Sequence, residues 1–337
     1  MTAETILSFE NLDVSFKTDE GMIKVLDGVS FKLEKGRTLG LVGESGSGKS
    51  VSTRCAVQLN ARNIRIGAGS RIVLTEQDGT QTDVLSLKPN SRKIRDIRGG
   101  EIGMIFQEPM ASFSPVYTIG NQMVEAIRLH RDASKKQARE LAIEMLRKVG
   151  ISSPEQRIDQ YPGELSGGMR QRAMIALALS TNPNVLIADE PTTALDVTIQ
   201  AQVLDLMRSL QQELEMSIIF ITHDLGVVSQ VAHDIAVMYL GKVVEYGSTK
   251  EVLKNPQHPY TQGLLKALPN VDHLEDRLSP VGGDIPSPLE RPTGCPFHTR
   301  CPQAISGLCA SSMPAPTQLT DKHEVSCHLL TQQEAAS

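Results

Sequence analysis

Eight residues near the start of the chain, Gly43-Glu44-Ser45-Gly46-Ser47-Gly48-Lys49-Ser50, constrain its fold more than any other segment. They fit the phosphate-binding loop pattern G-x-x-x-x-G-K-[ST]. The flanks fit as well: Thr38 to Val42 reads as a short buried strand and Val51 to Leu59 as a helix. Glycines let the backbone wrap a phosphate with its N–H groups pointing inward, and the N-terminus of the following helix adds partial positive charge. In this reading Gly43, Ser45, Gly46 and Gly48 form the cradle. The Lys49 ammonium reaches the β- and γ-phosphates, and the Ser50 hydroxyl ligates Mg²⁺.

At 337 residues the chain has room for one large domain and a smaller one. Its net charge is −5, from 34 basic and 39 acidic residues, and it has no long basic run, which argues against a nucleic-acid partner. No apolar segment approaches the roughly 18 residues of a membrane span. The first residues, Met1 to Thr5, lack the basic region and apolar core of a signal peptide. The expected location is therefore the cytosol or the cytosolic face of a membrane, where a disulfide framework is not expected.

Residues 5–35 alternate apolar and polar, an antiparallel β pattern, and 71–86 reads as a hairpin turning at Asp78-Gly79. Ala138, Leu141, Ala142, Met145, Leu146 and Val149 recur three and four apart, so Lys135 to Lys148 reads as an amphipathic helix. Val185 to Ala188 and Ile218 to Ile221 suit buried parallel strands, and a helix over about 197–214 completes a βαβ unit. After about Gly247 proline becomes frequent, and four of the five cysteines fall between 295 and 327.

Two further segments carry chemistry. Val185-Leu186-Ile187-Ala188-Asp189-Glu190 is an apolar strand ending in two acids. Asp189 suits Mg²⁺ coordination and Glu190 is placed to orient or polarise an attacking water. Without the phosphate loop, the pair would read as a capped strand end. Leu165-Ser166-Gly167-Gly168-Met169-Arg170-Gln171-Arg172 opens an apolar helix with a second anion-binding N-terminus, although Ser-Gly also serves as an ordinary helix cap.

With these segments in this order, the chain resembles the ATP-binding subunits of ABC transporters. The resemblance implies a RecA-like α/β nucleotide-binding domain over 1–250, with an antiparallel β subdomain and a helical subdomain near 110–175. It implies that two cassettes sandwich ATP, with Ser166, Gly167 and Gly168 of one facing the γ-phosphate held by the other. It assigns Phe16 to stacking on adenine, where many members have Tyr. Gln107, in Ile105-Phe106-Gln107-Glu108-Pro109, is the loop glutamine near Mg²⁺ and water. Asp196, in Ala194-Leu195-Asp196, belongs to the interface loop. His223, in Ile221-Thr222-His223-Asp224, contacts the γ-phosphate. No catalytic position departs from the pattern, so ATP hydrolysis is expected, carried by Lys49, Gln107, Glu190 and His223.

The segment after the cassette narrows the resemblance. Asn255-Pro256-Gln257-His258-Pro259-Tyr260-Thr261, Ile285-Pro286-Ser287-Pro288, Pro292 to Phe297 and Arg300-Cys301-Pro302 are similar to the tail of oligopeptide and dipeptide importer ATPases. Related subunits serve nickel, opines and some oligosaccharides, so the cargo stays open beside peptides. A non-transport ABC ATPase is a remote alternative, since such proteins usually carry two cassettes or a long coiled coil. The implied partners are a second ATPase subunit, expected to differ from this one, two membrane permeases and an extracytoplasmic binding protein. The implied place is the cytoplasmic face of a bacterial inner membrane, with permease docking near Gln107 to Tyr117. In the tail, 251–337, Cys295, Cys301, Cys309 and Cys327 are spaced C-x5-C-x7-C-x17-C. Four thiols in so short a segment suggest a metal site. The spacing is not that of zinc ribbons, and the resemblance favours a [4Fe–4S] cluster. Zinc, with His298, His323 or His328 as further ligands, and free thiols remain open. Cys55 is expected to be a buried packing residue.

Overall fold

The computed structural model describes residues 4–107, 112–193, 196–267 and 281–330. The chain divides into two compact units that alternate along the sequence. One comprises Met1–Leu7, Leu33–Thr38 and Val73–Ile221, and the other Ser8–Lys32, Leu39–Ile72 and Thr222–Ser337.

The first unit is built on parallel strands. Ile102–Ile105 pairs with Val185–Asp189, which pairs in turn with Ser217–Thr222, in the registers Ile102↔Val185 and Val185↔Ser217. Every residue of the last two strands is buried, which is why both read as continuous apolar runs. The Val197–Glu213 helix joins them. The hairpin expected at Asp78-Gly79 forms, with Val73 opposite Asp83 and Gly79 at φ 83°. Lys135–Lys148 is helical to the residue. Ser134 and Gln137 close a capping box at its start, and Ala138, Ala142 and Leu146 are buried at four-residue spacing. Ile119–His130 and Gly167–Leu179 are the other long helices of this region.

In the second unit, Ile64–Ile66 lies antiparallel to Val14–Phe16. The Thr38–Val42 strand pairs in parallel with Asp234–Tyr239, which turns back through Lys242–Ser248. The tail then extends the sheet: Glu324–Val325 pairs with Lys242–Ser248, and Thr317–Gln318 pairs with Glu324–Val325. Tyr239, at the end of its strand, belongs to an aromatic cluster. Tyr239 and Tyr260 sit with ring centroids 4.7 Å apart, and Phe297 lies 5.1 Å from Tyr239 and 5.3 Å from Tyr260. The fully buried Glu245 carboxylate accepts from the backbone N–H groups of Gln257 (2.8 Å) and His258 (3.0 Å) and pairs with His323 Nε2 at 2.8 Å. Burial makes this satisfaction necessary, because an unpaired carboxylate there would be costly.

One expected element differs. The helix after the phosphate loop spans Lys49–Cys55, starting before Val51 and ending before Leu59. It starts early because Gly48 at φ 99° turns the chain at its cap. It ends early because Gln58 adopts φ 48° and the Leu59 N–H closes back on the Arg54 carbonyl at 3.0 Å. No described helix is long and apolar enough to cross a membrane.

Candidate active site

The phosphate-type loop lies in the second unit, between the Thr38–Val42 strand and the Lys49–Cys55 helix. Its shape demands glycine at three positions, Gly46 at φ 80° among them. Gly43 adopts φ 155°, and a Cβ there would overlap the Met238 carbonyl oxygen; at Gly48, φ 99°, it would come 2.5 Å from Leu26 Cδ2. The Lys49 side chain is buried and curls into its own loop. Its Nζ donates to the carbonyls of Gly43 (2.6 Å) and Glu44 (3.0 Å) and to Ser47 Oγ (3.3 Å). These oxygens hold the buried ammonium. Ser45 and Gly46 are exposed, and Ser50 is half-buried in the first turn of the helix. Phe16 is half-buried opposite Ile64. His223 is exposed, just after the Ser217–Thr222 strand, and Asp224 beside it caps the next helix by accepting from Gly226 N–H at 2.7 Å.

The acidic pair lies at the end of the Val185–Asp189 strand in the first unit, with the Asp189 side chain fully buried. Glu190 leaves the strand at φ 48°, its N–H donating to the Ile221 carbonyl at 3.0 Å. One oxygen, Oε2, accepts from Gln107 Nε2 at 3.2 Å and from Thr193 Oγ1 at 2.8 Å. The structure thus brings together two residues singled out separately in the sequence and adds Thr193. Its only sequence signal was its place three residues after Glu190. Ser166 caps the Gly167–Leu179 helix by accepting from Met169 N–H at 3.3 Å, leaving Gly167 exposed and Gly168 half-buried. The buried Gln171 side chain of that helix donates to the Pro191 carbonyl, tying the glycine-rich helix to the acidic turn. Asp196 is exposed and caps the Val197–Glu213 helix, accepting from Ile199 N–H at 2.9 Å. Glu108-Pro109 and Ala194-Leu195 lie outside the described residues, as does part of the segment from Gln107 to Tyr117. By unit, Phe16, Lys49, Ser50 and His223 fall in the second, while Gln107, Ser166, Gly167, Gly168, Asp189, Glu190 and Asp196 fall in the first.

Ser50, Gln107 and Asp189 offer a hydroxyl, an amide carbonyl and a carboxylate, the hard oxygen donors Mg²⁺ prefers. The tail thiols are a different case. Cys327 interacts electrostatically with Cys295, Cys301 and Cys309, so the four share one region. Cys309 Sγ accepts from the Ile305 N–H at 3.3 Å. Burial nevertheless pushes the Cys327 thiol up to about 11 and raises those of Cys295 and Cys301. No group of three or more His, Cys, Asp or Glu side chains among the described residues is arranged to hold a metal ion. The donor chemistry suits a soft metal or cluster; the arrangement does not assemble the ligands. Cys55 is fully buried, as expected, and burial pushes its thiol up to about 12.

The ABC transporter family matches residues 26–193, and the oligopeptide/dipeptide transporter C-terminal region matches residues 244–309. The chain is 46% identical over 329 residues to the dipeptide transport ATP-binding protein DppD of Bacillus subtilis (strain 168), covering 98% of this chain and 96% of that protein. It is 49% identical over 301 residues to the DppD of Lactococcus lactis subsp. cremoris (strain MG1363), covering 89% and 84%. Among solved structures, a dimeric bacterial ABC transporter cassette aligns with TM-score 0.62 at 26% identity, covering 72% of this chain and 99% of that one. The cbiO1 protein of Clostridium perfringens, part of an ABC transporter complex, aligns with TM-score 0.61 at 26% identity, covering 75% and 92%. The loop, the acidic turn and the glycine-rich helix are therefore parts of an ABC ATPase fold, and the chain belongs to the ABC transporter family as an ATPase carrying the oligopeptide/dipeptide transporter C-terminal region.

Proposed function

We propose that this protein is the ATP-hydrolysing subunit of a bacterial importer of di- and oligopeptides, working with a second, non-identical ATPase, two membrane permeases and an extracytoplasmic binding protein at the inner face of the cell membrane. The observation that carries the cargo class is the oligopeptide/dipeptide C-terminal region following the cassette. We keep 1–250 as the cassette, with its helical subdomain near 110–175, and 251–337 as the tail, and permeases would dock near Gln107 to Tyr117.

Lys49 and the loop N–H groups would hold the β- and γ-phosphates, and Phe16 would stack on adenine. Ser50, Asp189 and Gln107 would hold Mg²⁺, which when bound offsets charge on the phosphate oxygens. Glu190 would take the proton from the attacking water. The Gln107 and Thr193 hydrogen bonds fix its carboxylate for that task. His223 would contact the γ-phosphate, and Ser166, Gly167, Gly168 and Asp196 would meet the nucleotide held by the opposing cassette. Closure of two cassettes would complete the site, so that hydrolysis is gated by association.

The four tail cysteines are proposed to bind a [4Fe–4S] cluster, with zinc as the alternative; loading would have to draw the thiols into a ligand group. Anaerobically purified protein should then carry iron and sulfide, about four of each per chain, and zinc alone would favour the alternative. The functional test is ATP hydrolysis by wild type and Glu190→Gln, with and without co-expressed permeases. Loss in the variant and a response to permeases support the reading, whereas hydrolysis indifferent to permeases counts against transport.

A further inference from the structure

The tail reaches the phosphate loop at Glu44. Arg300 Nη1 donates to Glu44 Oε2 at 2.7 Å and Nη2 to Glu44 Oε1 at 3.0 Å, a two-pronged grip on the second residue of the loop. The Glu44 backbone is held too: its N–H donates to the Tyr260 hydroxyl at 2.9 Å. The Glu44 carbonyl, in turn, accepts from Lys49 Nζ at 3.0 Å. Both handles are built in. The Arg300 side chain is 3% exposed; its Nε also donates to the Gly282 carbonyl at 3.0 Å, its Nη2 to the Val281 carbonyl at 3.1 Å and its Nη1 to the Tyr239 hydroxyl at 3.4 Å. Tyr260 is fully buried against Tyr239 and Phe297. Glu44 itself is half-buried, and a forked pair anchored on a buried arginine fixes orientation as well as distance, unlike a mobile surface pair.

We propose that Arg300, assisted by Tyr260, is a positioning residue of the nucleotide site: from the tail it fixes Glu44 and thereby the loop that receives the phosphates. This rests on the ATP-binding reading of that loop. A loop held in its binding shape before ATP arrives spends less binding energy on ordering. A grip kept on loading contributes uniform binding, so its loss raises KM and leaves kcat.

The test uses full-length protein, measuring steady-state ATP hydrolysis and direct ATPγS binding for wild type, Arg300→Gln, Arg300→Lys, Tyr260→Phe, Glu44→Gln and the Glu44→Gln/Arg300→Gln double variant. For Arg300→Gln, KM and Kd should rise about tenfold with kcat within about twofold. Arg300→Lys, which keeps the charge but not the fork, should fall between wild type and Arg300→Gln. Tyr260→Phe removes one hydroxyl and should raise KM about threefold. The double variant should be no worse than Arg300→Gln alone, because both act through one contact. Unchanged KM in folded Arg300→Gln and Tyr260→Phe overturns the proposal, as does a fall in kcat alone or a multiplicative double variant. Where Arg300→Gln does not fold, Tyr260→Phe decides by the same criterion. Wild-type protein that binds no ATPγS overturns the nucleotide-site reading itself, which is a different result from normal wild-type binding with unaffected variants.

Discussion

Acid should destabilise this protein through His258. The imidazole is 1% exposed, and its Nδ1 accepts the Tyr260 N–H at 3.1 Å, capping the Pro259–Lys266 helix. A proton on Nδ1 would break that cap and place a charge in the core. Burial accordingly lowers the histidine from its ordinary 6.5 to about 4, with nearby Glu245 opposing the shift. A histidine whose folded value is depressed contributes stability that is complete above about pH 6.5 and is lost as pH falls toward about 4, because the unfolded chain takes the proton first. The gap between 6.5 and about 4, at about 1.4 kcal/mol per pH unit, caps the loss at about 3 to 4 kcal/mol. With an m-value of about 2 to 3 kcal/mol per molar urea, that moves the unfolding midpoint by about 1 M. His258→Asn supplies the control: asparagine is a good helix cap and still accepts the N–H, but it does not titrate. Urea midpoints should be followed by tyrosine fluorescence, since Tyr239 and Tyr260 lie in the adjoining cluster. Between pH 7 and pH 4 the wild type should lose about 1 M more than the variant. A cavity left by asparagine offsets both ends equally, and the carboxylates common to both proteins cancel. Parallel pH curves would refute the reasoning.

Three more outcomes are expected. Glu190→Gln preserves an oxygen acceptor for Gln107 and Thr193 but removes the base, so kcat should fall about 10²- to 10⁴-fold with ATP affinity within about threefold; parallel kinetic and binding titrations check this. Gly43→Ala forces a Cβ into the Met238 carbonyl and should abolish ATPγS binding while lowering the melting temperature by several degrees, about 1–3 kcal/mol of strain. Cys55, buried and pushed up to about 12, should resist iodoacetamide at pH 8 in native protein and react once urea is added, as read by mass spectrometry.

The parts of the site written in consecutive residues were legible early. The phosphate loop is eight residues whose glycines answer local demands, φ 155° at Gly43 and φ 99° at Gly48. Lys135–Lys148 is legible to the residue because its apolar side chains recur three and four apart, and the fold buries Ala138, Ala142 and Leu146 from that set. The loop helix differs at both ends from its expected span because glycine and glutamine at positive φ, not periodicity, set its limits. In the tail, spacing brought four cysteines to notice, but spacing does not say where sulfurs sit in three dimensions.

What only the tertiary structure decided are pairings between distant residues. Gln107 meets Glu190 across 83 positions, His323 meets Glu245 across 78, and Arg300 grips Glu44 across 256. Such contacts have no period: Gln107 and Glu190 stand out one at a time from their own segments, but nothing in either segment says that they meet. The sequence by itself determined the nucleotide chemistry, because backbone conformation and phosphate recognition are encoded within a few neighbouring residues. The tie between the tail and the phosphate loop came only with the fold, because packing of the tail beside the loop is what brings a buried Arg300 onto a half-buried Glu44 as a fixed, directional pair.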